Sequence, residues 1–266
     1  MTTQKPPLSS ISIHVPSKNN PLLVHALEKI NSSKEIVTLW NVINVNAIER
    51  LRMSDHGSVH FQIVSNIALR LLRILIKQKV QPSIVRDFGL TNKHAELVVL
   101  LASLLHDTGM SINRDGHEEF SLFITNQLLR ELIDFLPVEE KTIVISEVLH
   151  AIINHRSGGK PTTLEGGIVR VADALDMSQG RSRIPFEAGK VDIYSLSAFA
   201  IDEVTISEGK EKPILVEIYM NNSSGIFQID ELLKSKLKDS GIEKYIEIIA
   251  YSSTQTDKQL IKEFRL

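Results

Sequence analysis

Imidazoles and carboxylates occur in this chain at places where helical periodicity asks for apolar side chains. On a helix expected to begin near Ser54, the residues Ile63, Ile67, Leu71 and Ile74 form a stripe, and His60 and His56 extend it one and two turns toward the N-terminus. The run from Ala95 to Leu105 is apolar nearly all round, as in a helix buried on most sides, yet it ends in His106-Asp107 followed by Thr108-Gly109. In Gly167-Ile-Val-Arg-Val-Ala-Asp173-Ala-Leu-Asp176, the positions Val169, Ala172, Asp173 and Asp176 share one face. His117 lines up with Phe120, Ile124 and Leu128, and His155 with Val148, Ala151 and Ile152. His150 falls on a more polar face, with Ser146 and Glu147, and His14, His25 and His94 show no such convergence.

Each of these positions has a packing explanation. A core histidine can bond a backbone carbonyl, and Asp107 can bond donors in the turn that Gly109 closes. Four or five helices sharing one core make the joint coincidence hard to sustain, because an ionised carboxylate left uncompensated in a core is very costly. A divalent ion accounts for all of them together. With no cysteine in the chain, such an ion must be held by nitrogen and oxygen, which suits manganese, zinc, iron, nickel or cobalt. The same absence excludes a disulfide framework and a thiol nucleophile.

The elements that must position these residues are mostly helical. Residues 1–21 are a proline-punctuated leader, extended or mobile, with a β-arm at Ile11 to Val15 as the alternative. Residues 22–189 form a helical domain, with helices near 22–31, 34–52, 55–79, 82–87, 92–107, 117–136, 138–156 and 165–179. Residues 190–266 form a small α+β domain. Its strands are expected at Val191 to Leu196, Val204 to Ser207, Ile214 to Tyr219 and Tyr245 to Tyr251, with a helix from Asp230 to about Ser240. The fold class is therefore mainly α with a small C-terminal α+β module.

Bulk composition narrows the function. The 266 residues carry a net charge of −2 and are 42% hydrophobic and 5% aromatic, which speaks against an extended polynucleotide groove. The polar N-terminus lacks a signal pattern, and no later stretch runs eighteen apolar residues without a charge, so the cytoplasm is the expected location and no membrane is involved. A homodimer is expected on base rates.

With His60, the adjacent His106-Asp107 and the distant Asp173 in hand, the chain resembles the HD superfamily of metal-dependent phosphohydrolases. Val64 and Ala68 after His60, Leu104-Leu105 before His106, and Val171-Ala172 before Asp173 agree with its pattern, over roughly residues 54–185. The chain is also similar to the HD-GYP subset. His117, with Ser121 four residues on, and Asn154-His155 ahead of Gly158-Gly159-Lys160-Pro161 occupy the places of further ligands there. This implies a second ion, held by His117 and His155 and bridged to the first by Asp107. Asn154 replaces a histidine, the Gly-Tyr-Pro loop is absent, and Met110 stands where many cyclic-dinucleotide phosphodiesterases have lysine, so cleavage of cyclic di-GMP is not expected. The string Asp173-Ala-Leu-Asp-Met-Ser-Gln-Gly-Arg181-Ser-Arg183 resembles a mainly archaeal branch of the superfamily.

The expected chemistry is hydrolysis of a phosphate ester or nucleotide by metal-activated water. Asp107 would orient that water or take its proton, Asp176 would back a ligand histidine, and His56 would be a further ligand or a proton donor to the leaving group. Arg114, Arg156, Lys160, Arg181 and Arg183 follow the ligand-bearing segments closely and could grip phosphate. The competing expectation is a regulatory module on the same fold that binds a nucleotide or other ligand without catalysis.

Overall fold

The first helix, α1 (Pro21–Ser32), is started by Asn20, whose side-chain oxygen accepts from the N–H groups of Leu22 and Leu23 while its amide donates to Lys93 and Glu96. The computed structural model describes residues 12–177 and 197–252 and the backbone of 263–265. Ahead of α1, residues 12–16 form no strand. Ile13 is nevertheless buried, with its backbone N–H and C=O both bonded to Asn31, so this part of the leader is pinned to α1.

Among the described residues, seven further helices build the domain: α2 (Lys34–Asn44), α3 (Ser58–Lys77), α4 (Ser83–Phe88), α5 (Asn92–Leu105), α6 (His117–Leu132), α7 (Val138–Ile153) and α8 (Leu164–Leu175). A π turn at Val45–Arg50 follows α2, and a 3-10 turn at Thr108–Ser111 separates α5 from α6. As its all-round apolarity requires, α5 is buried continuously from Leu97 to Leu105, and α1, α3, α7 and α8 pack around it. Trp40 on α2 donates its indole N–H to the Leu104 carbonyl at 3.3 Å, close to the end of α5 where His106 begins.

Two expectations about α3 need correction. The helix begins at Ser58 because Asp55 accepts from the N–H of Gly57, and Asn44 accepts from the N–H of His56, giving the backbone an alternative to the helix before that point. His56 thus lies in the entry turn, not on the helix. The buried face carries His60, Val64, Ala68, Leu71, Leu72 and Leu75, while Ile63 is exposed and Ile67 half-buried. Of the expected stripe, Leu71 and Ile74 are buried and Ile63 and Ile67 are not, because apolar side chains on both rows at the start of this helix look alike in sequence. By length and composition α3 could cross a membrane, but half of its apolar stretch is buried in this fold.

The C-terminal module is a four-stranded sheet in the order β1 (Ile201–Glu208), β2 (Ile214–Met220), β3 (Ile246–Ser252), β4 (Glu263–Arg265). The β1–β2 hairpin and the β3–β4 pair are antiparallel, while β2 and β3 are parallel. A parallel pair needs a long crossover, and here the crossover carries a π turn at Gln228–Leu233 and a one-turn α9 (Lys234–Leu237), shorter than the helix expected to reach Ser240. Ile214, Val216, Ile218 and Met220 alternate onto the buried face, with Ile246, Ile248 and Ala250 opposite on β3. β4 was not anticipated, and the strand expected at 191–196 lies outside the described residues. The architecture is mainly α with a small α+β module.

The module sits directly on the helical domain. Gly167 faces Ser240 so closely that a Cβ there would overlap the Ser240 carbonyl oxygen, and only glycine lets α8 and that segment meet. On the far side, Lys77 at the end of α3 pairs with Glu208 of β1 at 2.5 Å.

Candidate metal centre

Four imidazoles meet in the core with the same orientation. On each, Nδ1 faces an acceptor: Asp176 Oδ2 for His60 at 2.6 Å, Ser103 O for His106 at 2.9 Å, Arg114 O for His117 at 2.8 Å and Ile152 O for His155 at 2.7 Å. A carbonyl or carboxylate oxygen can only accept, so Nδ1 carries the proton and each neutral ring presents the Nε2 lone pair inward. Burial pushes the His106 imidazole down to about 3, and Asp107 and Asp173 offset this only in part, so the ring stays neutral.

The inward nitrogens face one another. His60 Nε2 lies 3.3 Å from His106 Nε2, and His117 Nε2 lies 3.3 Å from His155 Nε2. Two lone pairs opposed at that distance repel unless a cation lies between them, and the surrounding carboxylates point to the same conclusion. Asp173 Oδ1 is 3.3 Å from His60 Nε2 and 3.8 Å from His106 Nε2. Asp107 turns Oδ1 toward His117 (2.9 Å) and His155 (3.4 Å) and Oδ2 toward His106 (3.5 Å), so its two oxygens address both halves. His60, His106 and Asp173 offer atoms within 4.8 Å of one another, and so do His106, Asp107 and His155. Nitrogen and oxygen donors in such clusters suit a divalent transition metal.

Both carboxylates are ionised despite their burial. Burial opposes the charge on Asp107, and the His106, His117 and His155 side chains around it hold its carboxyl well below the usual range only through a proton or a cation at their inward nitrogens. For Asp173 burial is again opposed, here by Lys236 first and then by His60 and His106.

Local sequence explains how the pieces arrive. After α5, the turn at Thr108–Ser111 carries Gly109, whose N–H donates to Ser121 Oγ at 2.8 Å, and that hydroxyl in turn donates to His106 O at 2.6 Å. The first turn of α6 is thereby laced to the His106-Asp107 corner, and His117, the first residue of α6, faces Asp107. Gly109 must be glycine, since a Cβ would overlap the His117 carbonyl and lie 2.6 Å from Ser121 N. The side chain of Asn154 accepts from the Lys160 N–H at 3.0 Å and shapes the loop after His155.

The remaining residues singled out in the sequence fare variously. Asp176 reaches His60, and the His56 ring lies beside the His60 ring with centroids 5.7 Å apart. Arg114 approaches His117 Nδ1 at 3.4 Å. Arg156 meets both oxygens of Glu118 through Nη1 at 3.1 Å, a pair that fixes its position. Lys160 is exposed, and Arg181 and Arg183 lie outside the described residues. His150 accepts from the Thr162 N–H at 3.0 Å, away from the cluster.

Two residues at the centre escaped the sequence reading. Arg170 is fully buried, and Lys236 forms an ion pair with Asp173. A signal for Arg170 existed, since a cation inside Ile168-Val-Arg-Val-Ala172 is the same anomaly that exposed Asp107. Lys236 lies among exposed lysines and gave none.

A family model for the HD domain matches residues 55–178. The chain is 38% identical over 240 residues to an uncharacterized protein of Methanocaldococcus jannaschii, an alignment spanning 90% of this chain and 92% of the relative. No solved structure matches.

Proposed function

This chain belongs to the HD superfamily, with the domain over residues 55–178 and nearly its whole length shared with the Methanocaldococcus jannaschii protein, and on that premise we propose that it is a metal-dependent phosphohydrolase acting on a phosphate ester or nucleotide. The observation that carries the reading is the convergence of four Nε2 lone pairs and two ionised carboxylates in a buried space. His60, His106 and Asp173 would hold one ion, and Asp107, His117 and His155 a second. Such ions supply a water that is nucleophilic near neutral pH and an electrophile for the phosphoryl oxygen.

The chain's own residues do the rest. Asp107, with an oxygen toward each half, would orient the attacking water. Asp176 fixes the ring and tautomer of His60. His56, beside His60, is the proposed proton donor to the leaving group. Two carboxylates against two divalent ions leave the centre positive, which favours an anionic substrate. Small phosphorylated molecules are the proposed partners, not extended nucleic acid.

The test is elemental analysis of the purified protein, followed by assay against a panel of phosphomonoesters, phosphodiesters and nucleotides with added manganese. Bound transition metal and turnover of at least one member are expected, and Asp107→Ala should lose both. A wild-type protein with neither metal nor turnover ends the enzymatic reading, and an Asp107→Ala protein that keeps either moves the site elsewhere.

A further inference from the structure

We propose that the C-terminal module is part of this centre and that Lys236, which it carries, is the residue that binds the anionic group of the substrate. The inference rests on the phosphohydrolase reading and deepens it. Among the described residues, Lys236 is the cation paired with a candidate ligand carboxylate, its Nζ against Asp173 Oδ2. Asp173 thus presents one oxygen to His60 and His106 and the other to the ammonium. An oxyanion held at the centre would therefore lie beside a lysine already in place. An ammonium has three donors and no acceptor, so it can keep Asp173 on one donor and offer another to a phosphoryl oxygen. Of the arginines expected to do this, Arg156 is paired through Nη1 with Glu118, Arg114 lies beside His117, and Arg181 and Arg183 fall outside the described residues; none of the described ones pairs with a candidate ligand carboxylate as Lys236 does.

Lys236 does not reach the site on a loose tail. The buried guanidinium of Arg170, one turn before Asp173 on α8, donates through Nε to the Lys236 carbonyl at 2.7 Å and through Nη2 to that of Ser235 at 3.1 Å. Its Nη1 donates to the carbonyls of Asn154 (3.2 Å) and Arg156, the residues flanking His155. One cation therefore ties the lysine's backbone to the loop bearing a candidate ligand. Its removal would leave four carbonyls short of a donor in a buried place. Gly167 provides the second anchor, through its close approach to Ser240. A lysine held this firmly loses little freedom on binding, which makes it an effective anion contact.

The experiment uses full-length protein as wild type, Lys236→Met and Lys236→Arg, with melting curves to establish folding. Manganese affinity is measured first, by calorimetric titration. Binding of inorganic phosphate to the manganese-loaded protein is measured second. Lys236→Met is expected to bind manganese about as tightly as wild type, because loss of a neighbouring positive charge does not disfavour a cation, and to bind phosphate at least about tenfold more weakly. Lys236→Arg, which keeps the charge, should recover most of the phosphate affinity. Phosphate binding by Lys236→Met within about twofold of wild type would overturn the proposal alone. So would loss of manganese by Lys236→Met with retention by Lys236→Arg, which would leave the lysine only a role in orienting Asp173. A wild-type protein that binds none of manganese, zinc, iron, nickel or cobalt would end the phosphohydrolase reading, and this one with it.

Discussion

Replacing Asp176 tests whether the centre is organised from behind its ligands. The carboxylate accepts from His60 Nδ1 at 2.6 Å, and both groups are buried. A charge-assisted bond of that length locks the ring and keeps the proton on Nδ1, leaving Nε2 for a metal. In Asp176→Ala the buried N–H loses this acceptor, at a cost of about 1–3 kcal/mol, and the ring can turn or switch tautomer. Loss of a partner behind a ligand histidine typically weakens metal binding about 10–100-fold, or about 1.4–2.7 kcal/mol. Asp176→Asn keeps an oxygen acceptor without the charge, so its loss should be less than about tenfold. The assay is calorimetric titration of metal-stripped protein with manganese near neutral pH, with the order wild type, Asn, Ala in falling affinity. An Ala variant within about threefold of wild type, or indistinguishable from Asn, would refute the account of His60 as an oriented ligand.

Two further outcomes follow from the same geometry. Gly109→Ala should push the first turn of α6 away from the His106-Asp107 corner, costing about 1–3 kcal/mol of stability and weakening the ion assigned to His117 more than the one assigned to His60; unchanged melting and unchanged metal stoichiometry would contradict this. Glu147 is buried, its Oε2 meets no donor among the described residues, and burial first, then the charges of Glu165 and Asp87, push its carboxyl up to about 7. Because that value lies above the one in the unfolded chain, its contribution to stability is complete below the unfolded value and is lost as pH rises through about 7. Glu147→Gln should therefore stabilise the protein by about 1–2 kcal/mol at about pH 8 and hardly at all at about pH 5, and a gain that does not depend on pH would count against the buried charge.

Much of the helical domain could be read without coordinates, for a local reason. Whether a segment is buried all round, as α5 is, or on one face depends on the order of its own residues, and that order also shows where a polar group is out of place. His60, His106, Asp107, His117, His155 and Asp173 were all found by that anomaly, and the structure brings the six together. Finer local choices were less legible. Asn44 and Asp55 take the N–H groups of His56 and Gly57 and delay the start of α3 until Ser58, and the buried row on α3 depends on neighbours contributed by other helices.

Sequence alone therefore marked which polar residues fall on apolar faces and which helices carry them, because the cost of burying a charge shows in the apolar residues around it in the chain. Only the tertiary structure decided what they meet. The pairing of opposed Nε2 atoms, the two-sided placement of Asp107 and the arrival of Lys236 from a module 63 residues beyond Asp173 are contacts between distant segments. An exposed-looking lysine in a short helix carries no mark of its destination, since its charge becomes consequential only when the clamp of Arg170 and the close approach at Gly167 bring it against a buried carboxylate.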